Sequence, residues 1–204
     1  MRAFYEGFWA DAPRDPEPWA FGERRALLLG EGRSGERVLD LGCGAGRFLA
    51  VLREAGAEPV GVEVAQAAAE RARENVPGAD VRLLEPDGSL PLGHGEVDLV
   101  WCSEVLEHIA DVGHALLEVR RVLRRGGRLL LTVPFHGRLQ AAAIALARFD
   151  AHFDPLGQHV RFFTARSLAR TLEAAGFAPA ETEIRARGGV PALRRMLVAR
   201  AIRR

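Results

Sequence analysis

The chain has 204 residues, 48% of them hydrophobic, which suits one ordinary domain with a buried core and is too short for two full domains. Its 28 basic residues, every one an arginine, nearly cancel its 27 acidic residues, so charge gives no reason to expect tight binding to nucleic acid or to an acidic membrane. No apolar run approaches the roughly 20 residues that a membrane-spanning helix needs.

Apolar runs rich in β-branched residues alternate with segments of helical period, as expected of a parallel α/β sheet. Asp111 and Thr164 are predicted helix caps, and Gly126-Gly127 is predicted to end the helix that Asp111 begins. The fold class predicted is α/β, a doubly wound, mostly parallel seven-stranded sheet with helices on both faces. In chain order we predict strand 37–41, helix 47–55, strand 59–63, helix 65–76, strands 81–84 and 97–102, helix 111–125, strand 128–133, a helix ended by Gly176, and strands near 180–186 and 193–201.

The stretch "RVLDLGCGAGRFLAVL", residues 37–52, places Gly42, Gly44 and Gly46 between a predicted strand and a predicted helix. Unpaired amides at a helix start favour an anionic group, and glycine has no Cβ to hold a ligand away. A tight turn without a ligand is the alternative. Because Arg47 stands where the dinucleotide fingerprint has its third glycine, a nicotinamide or flavin site is disfavoured.

Two carboxylates flank this turn in the predicted sheet. Asp40 directly precedes it and could hold an ammonium group, or could instead act as a local turn partner. Glu63 ends the second strand, where a carboxylate can accept hydrogen bonds from both hydroxyls of a ribose; a merely solvated side chain is the alternative. Together with the glycine turn they indicate a ligand that has an amino acid at one end and a ribonucleoside in the middle.

Four motifs in order, "VLDLGCGAGRF", "GVEV", "DLVWCSEVLEHIAD" and "RRVLRRGGRLLLTVP", resemble those of class I S-adenosylmethionine-dependent methyltransferases over roughly residues 36–134. Residues 159–177, "HVRFFTARSLARTLEAAGF", are similar to the small-molecule, type 11 branch, which includes quinone-biosynthesis methyltransferases. The resemblance implies a Rossmann-like fold, S-adenosyl-L-methionine as cofactor, and in-line methyl transfer to a small acceptor. The aromatic residues clustered near the amino terminus and in 135–163 favour an acceptor that is apolar or aromatic.

The resemblance also implies roles for individual residues. The turn backbone would lie against the methionine portion, Val64 would cover the adenine, and Asp87 with Gly88 would meet the adenine amine unless they form only an Asp-Gly turn. Cys102 and Ser103, at the end of the fourth strand, would lie near the sulfonium, although Cys102 could equally be a small buried filler. The predicted cofactor-binding residues are Asp40, Gly42, Cys43, Gly44, Gly46, Glu63, Val64, Asp87, Gly88, Cys102 and Ser103.

A hydroxyl acceptor would benefit from a general base, and His108 in "LEHI" is the candidate catalytic residue. His136, His152 and His159 are further candidates, and a structural role is the alternative for each. The two cysteines form neither a disulfide framework nor a metal cluster, and no metal site is predicted. The amino terminus has no export leader, so a cytoplasmic location is expected.

Other functions remain as alternatives. A non-catalytic protein that binds or senses S-adenosylmethionine would share the same motifs, and a nucleotide-dependent oxidoreductase is a second rival. DNA is not an expected partner, because "CSEVLE" stands where amino-directed base methyltransferases carry a polar-Pro-Pro-aromatic sequence. RNA is an unfavoured partner, and no oligomeric state is predicted.

A single methyltransferase domain is predicted, divided into an amino-terminal cap (1–35), a cofactor-binding core (36–134), a lid-like insertion (135–163), and a carboxy-terminal helix with strands (164–204). Six aromatic residues lie in residues 1–21 and five in 135–163. We therefore predict that both segments fold over the cofactor as a lid. The alternative is that these aromatic side chains only attach terminal helices to the core.

Overall fold

Seven strands form one sheet in the computed structural model, which describes residues 2–135, 137–147, 149–153, 157–178, 181–186 and 195–204. The strands are β1 (Arg37–Leu41), β2 (Glu58–Glu63), β3 (Asp80–Leu83), β4 (Val97–Ser103), β5 (Leu123–Pro134), β6 (Glu181–Ala186) and β7 (Arg195–Ile202). Their order is β3-β2-β1-β4-β5-β7-β6. The first five run parallel, and β7 lies antiparallel between β5 and β6. The predicted mostly parallel seven-stranded sheet is confirmed.

Helices cover both faces of this sheet, as predicted. They are α1 (Arg2–Asp11), α2 (Phe21–Glu31), α3 (Arg47–Glu54), α4 (Gln66–Asn75), α5 (Val112–Val122), α6 (Arg138–Ala147), α7 (Phe149–His152) and α8 (Ala165–Ala174), with a 3₁₀ turn over Leu106–His108. Alternate residues of each strand point to opposite faces. In β1, Leu39 therefore packs in the core cluster shared with α5 and α8, whereas Val38 packs with α2 and α3.

Two predicted helix caps are confirmed, and one predicted helix end is wrong. The Asp111 side chain accepts a hydrogen bond from the His114 amide, and Thr164 forms a capping box with Ser167. The helix predicted over 111–125 ends at Val122 instead, because buried Leu123 adopts an extended conformation and pairs with Val97 of β4. The glycine pair therefore lies within β5 and does not end the helix.

The first 35 residues, predicted as an amino-terminal cap, include two helices of different character. No residue of α1 is buried, so its sequence carries no core-facing stripe. Helix α2 buries Leu27 and Leu28 together with Arg24, a charged residue in an apolar setting. Among the described residues, no helix is long and apolar enough to span a membrane.

The glycine turn joins β1 to α3 and brings α3 against α4. Gly46 begins α3 with φ of 87°, and a Cβ at this position would lie 3.2 Å from the Cα of Ala72 and 3.2 Å from Cγ2 of Val76. The absence of a side chain thus lets the two helices approach. Gly46 has a packing role that is independent of any ligand.

We expect Gly46→Ala to destabilise the fold by about 2–4 kcal/mol, because the positive φ and the close packing each cost about 1–3 kcal/mol. Gly78→Ala is the matched control, since Gly78 has φ of 79° and a Cβ there would meet nothing within 4 Å. Chemical denaturation of both variants measures the difference. Equal destabilisation would show that helix packing adds nothing at Gly46.

Candidate active site

A cavity of about 400 Å³ opens where the strand order reverses, between the carboxyl ends of β1 and β4. Ligands bind at this switch point in open α/β sheets. Much of its wall is apolar, with contributions from Leu41, Val62, Leu84, Leu90, Val105 and Ile109. Seven of the residues singled out from the sequence line it: Gly42, Gly44, Glu63, Val64, Asp87, Gly88 and His108.

Glu63 holds the glycine turn and the start of α4 together. Its Oε2 accepts a hydrogen bond from the Gly44 amide at 2.9 Å, and its Oε1 accepts from the amides of Val64 at 2.7 Å and Ala65 at 3.2 Å. Burial raises the pKa of the Glu63 carboxyl, and these amides oppose the shift. Because a carboxylate offers about four acceptor positions, roughly one remains for a ligand hydroxyl.

Asp40 is buried just below the cavity and does not line it. Its Oδ2 has no hydrogen-bond partner among the described residues. Burial raises the pKa of this carboxyl to about 7, although the nearby Arg24 guanidinium lowers it. A buried carboxylate oxygen without a partner is costly, so an ammonium group that reached it would be strongly favoured.

Arg24 supplies positive charge beneath the cavity. Its Nε donates to Ser103 Oγ at 2.7 Å, and its Nη2 donates to the Ser103 carbonyl at 3.1 Å. Burial lowers the pKa of this guanidinium, which the carboxylates of Glu104, Asp40 and Glu107 oppose. Arg24 precedes an exposed arginine, Arg25, in an otherwise ordinary helix, and the sequence gives no signal that one of the two is buried for such a role.

Four other residues predicted to bind the cofactor do not line this cavity. Cys102 points into the core cluster with α5 because it alternates with Trp101 along β4. Ser103 points to the opposite face and is covered by Arg24. Cys43 packs in a core cluster with α3 and α4, and Gly46 packs on α4. Burial raises the pKa of both thiols, so neither is a reactive cysteine.

Helix α1 contributes an aromatic part of the cavity wall. Tyr5, Phe8 and Trp9 line it, and the Trp9 ring lies 3.0 Å from where a Cβ of Gly44 would be. Two polar residues fix the helix in place. Arg2 donates to the carbonyls of Val64 and Leu84, and Glu6 accepts from the amides of Gln66 and Ala67 at the start of α4. The indole ring of Trp9 thus lies close to the backbone of the glycine turn.

The 3₁₀ turn after β4 carries an acidic cluster that the sequence motifs did not single out. Glu104, with φ of 56°, lines the cavity and accepts from Thr132 Oγ1 at 2.9 Å. Glu107 is 1% exposed, and burial followed by the nearby Glu104 raises its pKa to about 9. His108 Nδ1 lies 2.9 Å from the Gln158 carbonyl, and burial lowers the pKa of this imidazole.

Asp87 and Gly88 form a turn at the far wall of the cavity. Asp87 Oδ1 accepts from the Ser89 amide at 2.9 Å, which is the Asp-Gly turn expected as the alternative role. This hydrogen bond lowers the pKa of the Asp87 carboxyl. The side chain is exposed and both residues line the cavity, so the turn does not prevent contact with a ligand.

The segment 135–163 contributes little to the cavity. Among its described residues, only Gln158 lines it. Phe149, Phe153 and Phe162 are exposed and contact one another or the intervening His152 ring. Phe163 instead packs in the core. His136 lies outside the described residues.

Comparison with known proteins identifies the family. A model of the methyltransferase domain family matches residues 8–182. The chain belongs to the methyltransferase domain family. This confirms the class I methyltransferase family and the S-adenosylmethionine cofactor predicted from the four motifs, and the type 11 small-molecule branch predicted from residues 159–177. The predicted class of enzyme, an S-adenosylmethionine-dependent methyltransferase, is confirmed as well.

Two proteins illustrate the similarity of this chain to known sequences. A 37.1 kDa protein of transposon TN4556 from Streptomyces fradiae is 42% identical over 110 residues, which are 51% of this chain and 32% of that protein. The ubiquinone biosynthesis O-methyltransferase of Aromatoleum aromaticum is 30% identical over 157 residues, 74% of this chain and 67% of that enzyme. The chain thus spans about a third of the first relative and two thirds of the second.

A solved structure shares the fold of this methyltransferase. It is the Burkholderia thailandensis 1,6-didemethyltoxoflavin-N1-methyltransferase with bound 1,6-didemethyltoxoflavin and S-adenosylhomocysteine. It is 23% identical, has a TM-score of 0.68, and the alignment covers 99% of this chain and 83% of that one. At this identity the similarity supports the Rossmann-like architecture alone.

Proposed function

We propose that this methyltransferase transfers the methyl group of S-adenosylmethionine to a small, apolar or aromatic acceptor. The observation that carries the proposal is a single cavity that combines two kinds of wall. One wall holds the glycine turn and Glu63, and the other holds Tyr5, Phe8 and Trp9 with His108 at its edge. A mostly apolar, covered site with few polar groups suits a flat small molecule.

The residues of the cavity fit the cofactor. Glu63 keeps about one acceptor position for a ribose hydroxyl, and the Oδ2 atom of Asp40 is an orphaned acceptor suited to the amino group. Val64 and the Asp87-Gly88 turn would bound the adenine. Cys43, Gly46, Cys102 and Ser103 would support this site from below without touching the cofactor.

When bound, S-adenosylmethionine supplies a methyl group on a positively charged sulfur. The chain itself must align the acceptor and exclude water. The aromatic side chains of α1 would exclude water from the site. For a hydroxyl acceptor, His108 is the proposed proton acceptor, because the Gln158 carbonyl beside Nδ1 directs the N–H there and leaves Nε2 free to take a proton.

The experiment combines binding with turnover. Calorimetry should show micromolar S-adenosylhomocysteine binding to the wild type, and Asp40→Asn should weaken it at least tenfold by removing the charge that faces the amino group. Labelled S-adenosylmethionine with fractionated small-molecule extract should yield a labelled product. Binding without any transfer would favour the alternative of a non-catalytic sensor, and no binding would overturn the proposal.

The same variant provides a check on stability. Because the pKa of Asp40 is raised to about 7 in the fold, the folded state binds a proton that the unfolded state releases near pH 4, so this carboxyl lowers stability as pH rises from 4 to 7. Asp40→Asn removes this penalty. Its stability relative to wild type should therefore increase between pH 5 and pH 8, which a loss of fold would not produce.

A further inference from the structure

Three side chains at the edge of the cavity converge on one point. Glu107, His108 and His159 each present one ligand atom, and these atoms lie within 4.8 Å of one another. His108 Nε2 is 3.8 Å from Glu107 Oε1, and the two imidazole rings have centroids 4.9 Å apart. Ligands that bind one ion at about 2.0–2.2 Å lie roughly 3–4 Å from each other. The spacing is therefore close to that of ligands around a single ion.

The hydrogen bonding of His108 prepares it as a ligand. Its Nδ1 lies 2.9 Å from the Gln158 carbonyl, an acceptor only, so the ring proton belongs on Nδ1. The Nε2 lone pair is then directed toward Glu107. Metal-binding histidines usually donate their other ring N–H in this way to a carbonyl or carboxylate.

Glu107 provides an independent observation. Its side chain is 1% exposed, and neither carboxylate oxygen has a hydrogen-bond partner among the described residues. Buried charges are normally paired or coordinate metals. Arg24, a buried cation nearby, directs its guanidinium to Ser103 and Trp19. Both oxygens of this buried carboxyl are therefore available to a cation.

The backbone holds the cluster together across a long sequence separation. The amides of Val160 and Arg161 donate to the Glu107 carbonyl at 2.9 and 3.0 Å. These bonds and the His108–Gln158 contact place residue 159 beside the 3₁₀ turn. Because His159 is exposed, an ion could enter from solvent.

We propose that Glu107, His108 and His159 bind a divalent first-row transition-metal ion at the edge of the cofactor cavity. Two imidazoles and one carboxylate are a ligand set typical of such ions, and three protein ligands leave coordination positions open. An open position beside His108 and Glu104, which both line the cavity, suits an oxygen atom of the acceptor and would lower the pKa of its hydroxyl. This role rests on the proposed function and would replace proton acceptance by His108, because an Nε2 atom bound to the ion has no lone pair left for a proton. Metal binding itself does not rest on the proposed function. The proposal departs from the absence of a metal site predicted from the sequence.

The test uses the full chain, freed of metal with a chelator and then titrated with Mn²⁺ or Zn²⁺ alone. Calorimetry and elemental analysis after gel filtration should give one ion per chain. His159→Ala removes an exposed ligand and should weaken binding at least tenfold, as should Glu107→Gln. His94→Ala removes an exposed histidine outside the cavity and should bind as the wild type does. S-adenosylhomocysteine titration of each variant reports separately on the cofactor site.

The outcomes separate the two proposals. Stoichiometric metal binding that is lost in His159→Ala, with cofactor affinity retained, would support the metal site. Absence of stoichiometric binding to the wild type, or equal binding by His159→Ala and His94→Ala, would overturn it. If Glu107→Gln does not fold, His159→Ala alone decides. Failure of the methyl-transfer assay alone would count against the proposed function and leave the metal result standing.

Discussion

Glu63→Ala should weaken S-adenosylhomocysteine binding roughly 10- to 150-fold, corresponding to about 1.5–3 kcal/mol for a hydrogen bond to a charged group. The larger end is expected, because the change removes the acceptor proposed for the ribose and also releases the Gly44 amide that Glu63 Oε2 holds at 2.9 Å. Calorimetry measures the affinity, and thermal unfolding measures how much of the loss comes from a loosened turn.

Glu85→Ala is the matched control for this change. Glu85 is an exposed carboxylate close in sequence to the Asp87-Gly88 turn and does not line the cavity. Its removal should leave affinity unchanged within about twofold. If the Glu63 variant folds and binds S-adenosylhomocysteine as tightly as the Glu85 variant, Glu63 does not hold the cofactor.

Deletion of residues 2–11 should reduce methyl transfer at least 100-fold while the protein stays folded. No residue of α1 is buried, so the core does not depend on it. The deletion removes Tyr5, Phe8 and Trp9 from the cavity wall and opens the site to water. Single-turnover transfer and thermal unfolding measure the two effects. Loss of the Glu6 cap on α4 should cost only about 0.5–2 kcal/mol of stability.

Point variants make this test sharper. Trp9→Ala removes the ring that faces Gly44, whereas Phe4→Ala removes an exposed ring of the same helix that does not line the cavity. Transfer should fall in the first and persist in the second. Full activity in both Trp9→Ala and the truncated protein would leave α1 as a helix that merely attaches to the surface.

The sequence predicted the sheet well because the central strands are rich in apolar residues and turn residues separate them from the helices. It could not predict which face a strand residue would point to, since β4 is apolar on both sides. Trp101 and Cys102 therefore differ in environment although they are neighbours, and Cys102 packs in the core, in keeping with its alternative role as a small buried filler. Glu63 was found because the end of a parallel strand opens on the ligand side whatever its register.

The remaining features depend on contacts between distant segments. Helix α1 buries nothing and faces a cavity, so its pattern does not distinguish a lid from a surface helix. Glu107 and His108 adjoin in sequence, but His159 reaches them only through hydrogen bonds at positions 158, 160 and 161. Periodicity and spacing in the sequence carry no information about contacts between segments so far apart in the chain.

The bridge between Phe135 and Phe163 brings the two ends of the intervening segment together at the sheet. It departs from the end of β5 and returns to the same place, so both anchor points belong to the sheet and its core. Doubling the length of a flexible loop costs only about 0.6 kcal/mol in closure entropy. The segment can therefore differ in length between related chains at a small cost in closure entropy, provided that the contacts of residues 158, 160 and 161 with the 3₁₀ turn are kept.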